Sequence, residues 1–230
     1  MALNEISKNS NMYEFVTHTW NPIRGRCPHD CSYCYVKQMA KRFGANEINL
    51  AEKEFSTPLG ENKTIFVGSS CDMWADEIPE EWIYDTLRYC WKYPSNNYFF
   101  QSKNPKRMWE LREHIPWDSI LCATIETNRS YWQMGKSPST ETRAAYMAAL
   151  SHYFPIMVTI EPVIDFDPGG LIDLIMVSRA YQVNIGADSG KNDLPEPSWI
   201  KVEKLITIMK ELGLCVHQKK NLARLCKQSQ

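Results

Sequence analysis

Short apolar runs alternate with amphipathic stretches along almost the whole chain. Val16–Trp20, Thr64–Gly68, Tyr98–Gln101, Ile120–Glu126, Ile156–Pro162 and Gln182–Gly186 have strand length and strand composition, and Leu214–Gln218 is a further short run of the same kind. Between them, helical spacing recurs over Ser32–Arg42, from Pro79 to about Lys92, from Pro105, over 141–152, over Gly169–Met176 and over Ser198–Leu212. The polar stretch Gln133–Thr140 is expected to loop out over one face. Strands alternating with helices pair in parallel through right-handed crossovers. Eight such units usually need about 250 residues, so 230 residues predict an α/β fold, a partial (β/α)6 TIM-type barrel, formed by residues 1–230 as a single domain.

Chemistry in such barrels sits at the carboxyl ends of the strands. Those ends carry Ser69, Ser70, Cys71 and Asp72 after the second strand, Lys103 and Asn104 after the third, and Glu126 and Asn128 after the fourth. Glu161 follows the fifth, Asp188 and Ser189 the sixth, and Lys219 the last. The loop after the first strand reads Cys27-Pro28-His29-Asp30-Cys31-Ser32-Tyr33-Cys34, a C-x3-C-x2-C spacing.

Composition narrows the setting. Lys plus Arg (26) nearly balances Asp plus Glu (27) for a net charge of −1, so no global field points to nucleic acid or an acidic membrane. A local basic channel stays open, with Lys103, Lys219, Lys220 and Arg107 as candidates for an anionic substrate. The first twenty residues lack a signal-peptide pattern and no apolar stretch reaches the roughly 18 residues of a membrane span, so a cytoplasmic chain with no membrane partner is expected. In a reducing compartment, clustered cysteines bind metal or do chemistry more often than they form disulfides.

Three closely spaced thiolates can hold three corners of an iron–sulfur cube and leave one iron open to a substrate or cofactor. Such an iron can chelate the amino and carboxylate groups of S-adenosylmethionine (SAM), and one electron then splits the sulfonium C–S bond. The competing reading is a zinc site with His29 as fourth ligand. Zinc ligands usually come as C-x2-C pairs, however, and no second pair stands elsewhere. A non-enzymatic iron–sulfur or zinc protein that senses redox state or binds a partner is thus the alternative of a different class. Cys71 is either a hydrogen-atom donor to a product radical or an ordinary buried thiol. Cys90, Cys122, Cys215 and Cys226 read as structural, and Trp74, Tyr131 and Trp132 either stack on a base or close the barrel top.

The spacing, with aromatic Tyr33 just before the third cysteine, resembles the signature of the radical SAM superfamily. The resemblance implies a [4Fe–4S] cluster on Cys27, Cys31 and Cys34, SAM as cofactor, and a reductant such as flavodoxin or ferredoxin. It implies that Tyr33 contacts adenine, that Glu126 and Asn128 stand at a ribose contact, and that Gly186 lets the backbone approach the cofactor. Ser69-Ser70-Cys71-Asp72 replaces the Gly-Gly-Glu-Pro segment that binds the SAM amino group in many members, which leaves Ser69 and Ser70 as candidates for that contact.

Thr19-Trp20-Asn21-Pro22, the stretch from Val67 to Pro79, the stretch from Gln101 to Met108, and the segments TIETN, TIEP, IGADSG and HQK are similar to small, phage-associated radical-SAM-like proteins. Spore photoproduct lyases, which repair DNA, are a more distant likeness. The implied substrate is a nucleotide, nucleic-acid base or related small molecule, with Lys103, Glu161, Asp188 and Lys219 as candidate contacts. A peptide substrate is the third reading, weakened by the lack of an evident peptide-recognition domain.

Overall fold

The computed structural model describes residues 3–7, 10–37, 44, 47–190 and 192–227. Its strands are β1 (Asn4–Glu5), β2 (His18–Trp20), β3 (Ile23–Arg24), β4 (Asn49–Leu50), β5 (Thr64–Val67), β6 (Asn97–Ser102), β7 (Ser119–Thr124), β8 (Ile156–Ile160), β9 (Gln182–Ile185) and β10 (Cys215–Gln218). One eight-stranded sheet runs β1-β2-β5-β6-β7-β8-β9-β10. Every neighbouring pair from β2 to β10 is parallel, and β1 adds antiparallel to β2. The helices α1 (Glu80–Trp91), α2 (Pro105–Glu110), α3 (Thr140–Leu150), α4 (Pro168–Val177) and α5 (Trp199–Glu211) make the crossovers from β5 to β10, and α6 (Ala223–Lys227) follows. The expected partial barrel is therefore the observed architecture.

Side chains on a strand alternate between its faces, and here the two parities enter two cores. Ile65, Val67, Tyr98, Phe100, Leu121, Ala123, Val158, Ile160, Val183 and Ile185 join the main core under the helices. Phe66, Phe99, Cys122 and Met157 turn inward and meet Tyr13 and Val16 of the amino-terminal segment. Phe99 stands edge-on to Tyr13 (4.9 Å), Phe15 (5.3 Å) and Phe66 (4.9 Å), the arrangement that ring quadrupoles favour. One step further along each strand the inner face turns polar. Tyr13 Oη donates to Gln101 Oε1 (2.7 Å) and Gln101 Nε2 to Thr124 Oγ1 (3.1 Å), while Thr124, Thr159 and Asn184 lie side by side in register.

The structure shortens the first strand expected over Val16–Trp20. Val16 instead closes a turn through its N–H to the Tyr13 carbonyl (3.1 Å), because it is needed in the inner core. Ser139 and Ser198 cap α3 and α5 by accepting from the Thr142 and Lys201 N–H groups, and Pro105 and Pro168 occupy first-turn positions. The helix expected over Ser32–Arg42 has helical backbone at 35–37, and residues 38–43 lie outside the described ones. Short β1, β3 and β4 were not legible in the pattern, being two residues each. Among the described residues no helix is long and apolar enough to cross a membrane.

Candidate functional site at the carboxyl ends of the strands

The loop leaving β2 carries Cys27, Cys31 and Cys34 and is tied to the end of β5. Asn21 Oδ1 accepts from Ser69 Oγ (3.1 Å) and the Ser70 N–H (3.0 Å), and Tyr35 Oη donates to the Ser69 carbonyl (2.8 Å). Cys71 is buried at the same strand end beside Cys27. Cys71 beside it lowers the Cys27 thiol, against burial that raises it, while burial pushes the Cys31 thiol up. Among the described residues no three His, Cys, Asp or Glu side chains gather about one point as a mononuclear metal requires.

His29, between the first two cysteines, is bound elsewhere. Its Nε2 lies 2.8 Å from Asp72 Oδ2. Asp72 also accepts from Ser102 Oγ (2.9 Å), the Lys103 N–H (2.8 Å) and the Trp74 N–H (3.1 Å). Burial would raise the Asp72 carboxyl, but His29 and these N–H groups hold it below the ordinary value; burial lowers His29, and Asp72 more than restores it. One carboxylate thus joins the cysteine loop to the ends of β5 and β6.

The segment expected to loop outward, Gln133–Thr140, instead grips the cysteine loop. The Ser32 N–H donates to the Gln133 carbonyl (2.9 Å), Cys31 Sγ to the Met134 carbonyl (3.3 Å), and the Lys136 N–H to the His29 carbonyl (2.7 Å). Gly135 has φ +66°, and a Cβ there would stand 2.0 Å from the His29 carbonyl oxygen, so only glycine permits this approach. Ser32 Oγ and Gln133 Oε1 are buried here without a partner.

Glu126 is the second hub. It is fully buried and takes Arg143 Nη1 on Oε2 (2.7 Å) and Lys103 Nζ on Oε1 (2.5 Å), with the Tyr33 hydroxyl donating to Oε1 as well. Burial raises its carboxyl, but the two cations and the Tyr33 bond outweigh that and hold it at about 2. Lys103 Nζ also stands 5.2 Å from the centre of the Tyr33 ring. Arg143, itself fully buried, donates in addition to the carbonyls of Thr124 (2.8 Å) and Pro138 (2.8 Å) and to Ser137 Oγ (2.6 Å), linking this hub to the gripping loop.

A third cluster forms on Glu161. Oε1 accepts from Asn11 Nδ2 (2.8 Å) and Asn221 Nδ2 (2.7 Å), and Oε2 from Lys219 Nζ (2.5 Å), which stands 4.4 Å over the Tyr13 ring. A Cβ on Gly186 would come within 2.7 Å of Asn221 Oδ1 and 2.8 Å of Glu161 Oε1, so these side chains fill the space the glycine leaves.

The structure therefore brings Tyr33, Glu126 and Lys103 together, joins Ser69 and Ser70 to the cysteine loop, and pairs Glu161 with Lys219. Asn128 Oδ1 accepts from the Asp167 N–H (2.8 Å) just ahead of α4. Both Asp188 oxygens accept from Gly190 and Asn192 of its own loop. Trp74 is core, Cys215 is exposed where a structural thiol was expected, and Arg107 donates to the Ala75 (2.7 Å) and Asp76 (2.9 Å) carbonyls. Arg143, His29 with Asp72, Asn11, Asn21 and Tyr35 are the site residues that sequence reasoning missed as partners. Arg143 had a signal, since it shares a helical stripe with Met147 and Leu150.

Fold and site define an open, mostly parallel α/β barrel with a cysteine loop at the carboxyl ends of its strands. Residues 10–204 match the family model described as a protein of unknown function (DUF5131), and the chain belongs to that family. No curated protein matches the chain. Among solved structures, it is similar to spore photoproduct lyase with bound AdoMet and dinucleoside spore photoproduct, at 11% identity and a TM-score of 0.57 over 81% of this chain and 62% of that one. It is also similar to the same enzyme complexed with dinucleoside spore photoproduct, at 10% identity and a TM-score of 0.57 over 90% of this chain and 65% of that one. The chain thus spans somewhat less than two thirds of the length of these structures, and the likeness is one of fold. None of these matches concerns the phage association expected from the resemblance.

Proposed function

We propose that this chain is a radical SAM enzyme acting on a nucleotide or nucleic-acid base. The observation that carries the reading is the placement of the three cysteines, on the loop leaving a barrel strand and with His29 engaged by Asp72 instead of completing a fourth ligand. The donor set fits a [4Fe–4S] cluster held by Cys27, Cys31 and Cys34 with one open iron, and the unpartnered Ser32 Oγ and Gln133 Oε1 mark a buried polar region beside it. When bound, the cluster supplies the electron that cleaves SAM, drawn from a carrier such as flavodoxin or ferredoxin.

The chain's own residues position and enclose. Tyr33, fixed by Glu126 and Lys103, offers a ring for adenine, and the Gln133–Lys136 grip keeps the cysteine loop in one conformation. Cys71 is the hydrogen-atom donor: its S–H bond breaks, a C–H bond forms on the product radical, and the unpaired electron is left on sulfur. Solved relatives of this fold with dinucleoside spore photoproduct bound support a nucleotide substrate. The test is spectroscopic. The reduced, anaerobically reconstituted protein should change its paramagnetic resonance spectrum on adding SAM, and an unchanged spectrum would refute SAM ligation. Cys71→Ala should leave SAM cleavage intact and abolish the normal product; unchanged product would remove Cys71 from this role.

A further inference from the structure

Trp132 is 79% exposed, an unusual place for the largest apolar side chain, on the loop that grips the cysteines. Its exposure is not a loose end. The next residues are pinned by the Ser32–Gln133 and His29–Lys136 backbone hydrogen bonds and by the close approach at Gly135, which places the exposed indole on a fixed loop beside the cysteines. Lys136 is exposed on the same loop.

Cations stand on these loops although the chain as a whole carries −1. Asp30 faces two cations, Arg26 (3.0 Å) and Lys37 (2.7 Å), and Glu126 faces two, Lys103 (2.5 Å) and Arg143 (2.7 Å). The Asp30 group leaves one positive charge beside exposed Arg26, and exposed Lys136 adds another, whereas the Glu126 hub is buried and has Asp72 beside it. By contrast, Lys219 is matched by Glu161 at 2.5 Å, and Arg129 by Asp165 and Asp167. Of the cations the sequence suggested, Lys103 is tied to Glu126 and Lys219 to Glu161, so the exposed cations beside the aromatic are Arg26 and Lys136.

We infer that Trp132, with Lys136 and Arg26, forms a contact for single-stranded nucleic acid at the rim of the barrel, the indole stacking on a base and the cations meeting the phosphates. An exposed aromatic flanked by cations is the combination that single strands recognise without sequence preference. Because the loop is already ordered, stacking immobilises little that was free. The inference rests on the proposed reaction site only for its meaning: a strand held here would present a neighbouring base to the mouth.

The experiment is anisotropy of a fluorescein-labelled (dT)12 strand with the full chain, anaerobically reconstituted, at low and moderate salt. Trp132→Ala should weaken binding about 5- to 150-fold, the range of one stacked base. Lys136→Glu should weaken it and reduce the salt slope by about one contact's worth. Trp117→Ala is the control, because Trp117 is 78% exposed but precedes β7, at the opposite end of the strands. A wild type that does not bind the strand, a Trp132→Ala variant within twofold of wild type, or an equal loss in Trp117→Ala overturns the inference. Release of 5′-deoxyadenosine without oligonucleotide, measured in parallel, should match between Trp132→Ala and wild type. Its absence from both would defeat the radical SAM reading while leaving the binding result to stand on its own.

Discussion

Replacing Glu126 by Gln removes the charge at the centre of the Lys103, Arg143 and Tyr33 hub while keeping its shape. The carboxyl is held at about 2 against an ordinary 4.5, a gap worth about 3 kcal/mol at 1.36 kcal/mol per pH unit. The folded value lies below the unfolded one, so the stabilisation is fully present above about pH 4.5 and is lost as pH falls towards 2. At pH 3 the wild type should have lost about 2 kcal/mol of it. Other carboxylates titrate alike in both proteins and cancel in the difference. Urea unfolding followed by tryptophan emission, with buried Trp20 and Trp74 as reporters, should therefore show a Glu126→Gln deficit of about 3 kcal/mol at pH 7 that shrinks to about 1 kcal/mol at pH 3. A deficit that stays constant across this window would mean that Glu126 is not held charged by its two cations, and the reasoning about the hub would fail.

Gly135→Ala should fold but take up little iron on reconstitution, since its Cβ would displace the His29 carbonyl 2.0 Å away and loosen the cysteine loop; iron and sulfide per chain equal to wild type would show that the grip is dispensable. Gly186→Ala forces a methyl group against Asn221 and Glu161, and should cost about 1–3 kcal/mol, read as a lower urea midpoint with an unchanged slope. Tyr33→Phe removes a hydrogen bond to a buried carboxylate and should cost about 2 kcal/mol at pH 7, with less loss at pH 3, where Glu126 is closer to protonation; the same loss at both pH values would contradict the assigned bond.

Much of the barrel was legible because its strands carry apolar residues on both faces: Ile65, Phe66 and Val67 form a continuous run, as parallel strands covered on both sides do. The cysteine spacing and the polar strand ends were legible for the same local reason. What the pattern concealed is tertiary. Val16 reads as the first residue of a strand, yet with Tyr13 it fills the inside of the barrel, because nothing local says which segment will plug a half-open sheet. Gln133–Thr140 is polar in sequence, but its backbone, not its side chains, makes the contacts with the cysteine loop. Polar residues at strand ends also proved unequal: Asp188 orders its own loop and Asn128 ties its loop to the start of α4, whereas Glu126 gathers two cations and Glu161 gathers Lys219, Asn11 and Asn221.

The central claim is that Cys27, Cys31 and Cys34 hold a cluster that cleaves SAM. Its most direct test is the release of 5′-deoxyadenosine, quantified by chromatography after dithionite reduction of the anaerobically reconstituted protein with SAM. Wild type and Cys71→Ala should release it, and Cys27→Ala, Cys31→Ala and Cys34→Ala should not. A wild type that takes up about four irons per chain and releases none, or a variant of any of the three cysteines that releases as much as wild type, contradicts the claim.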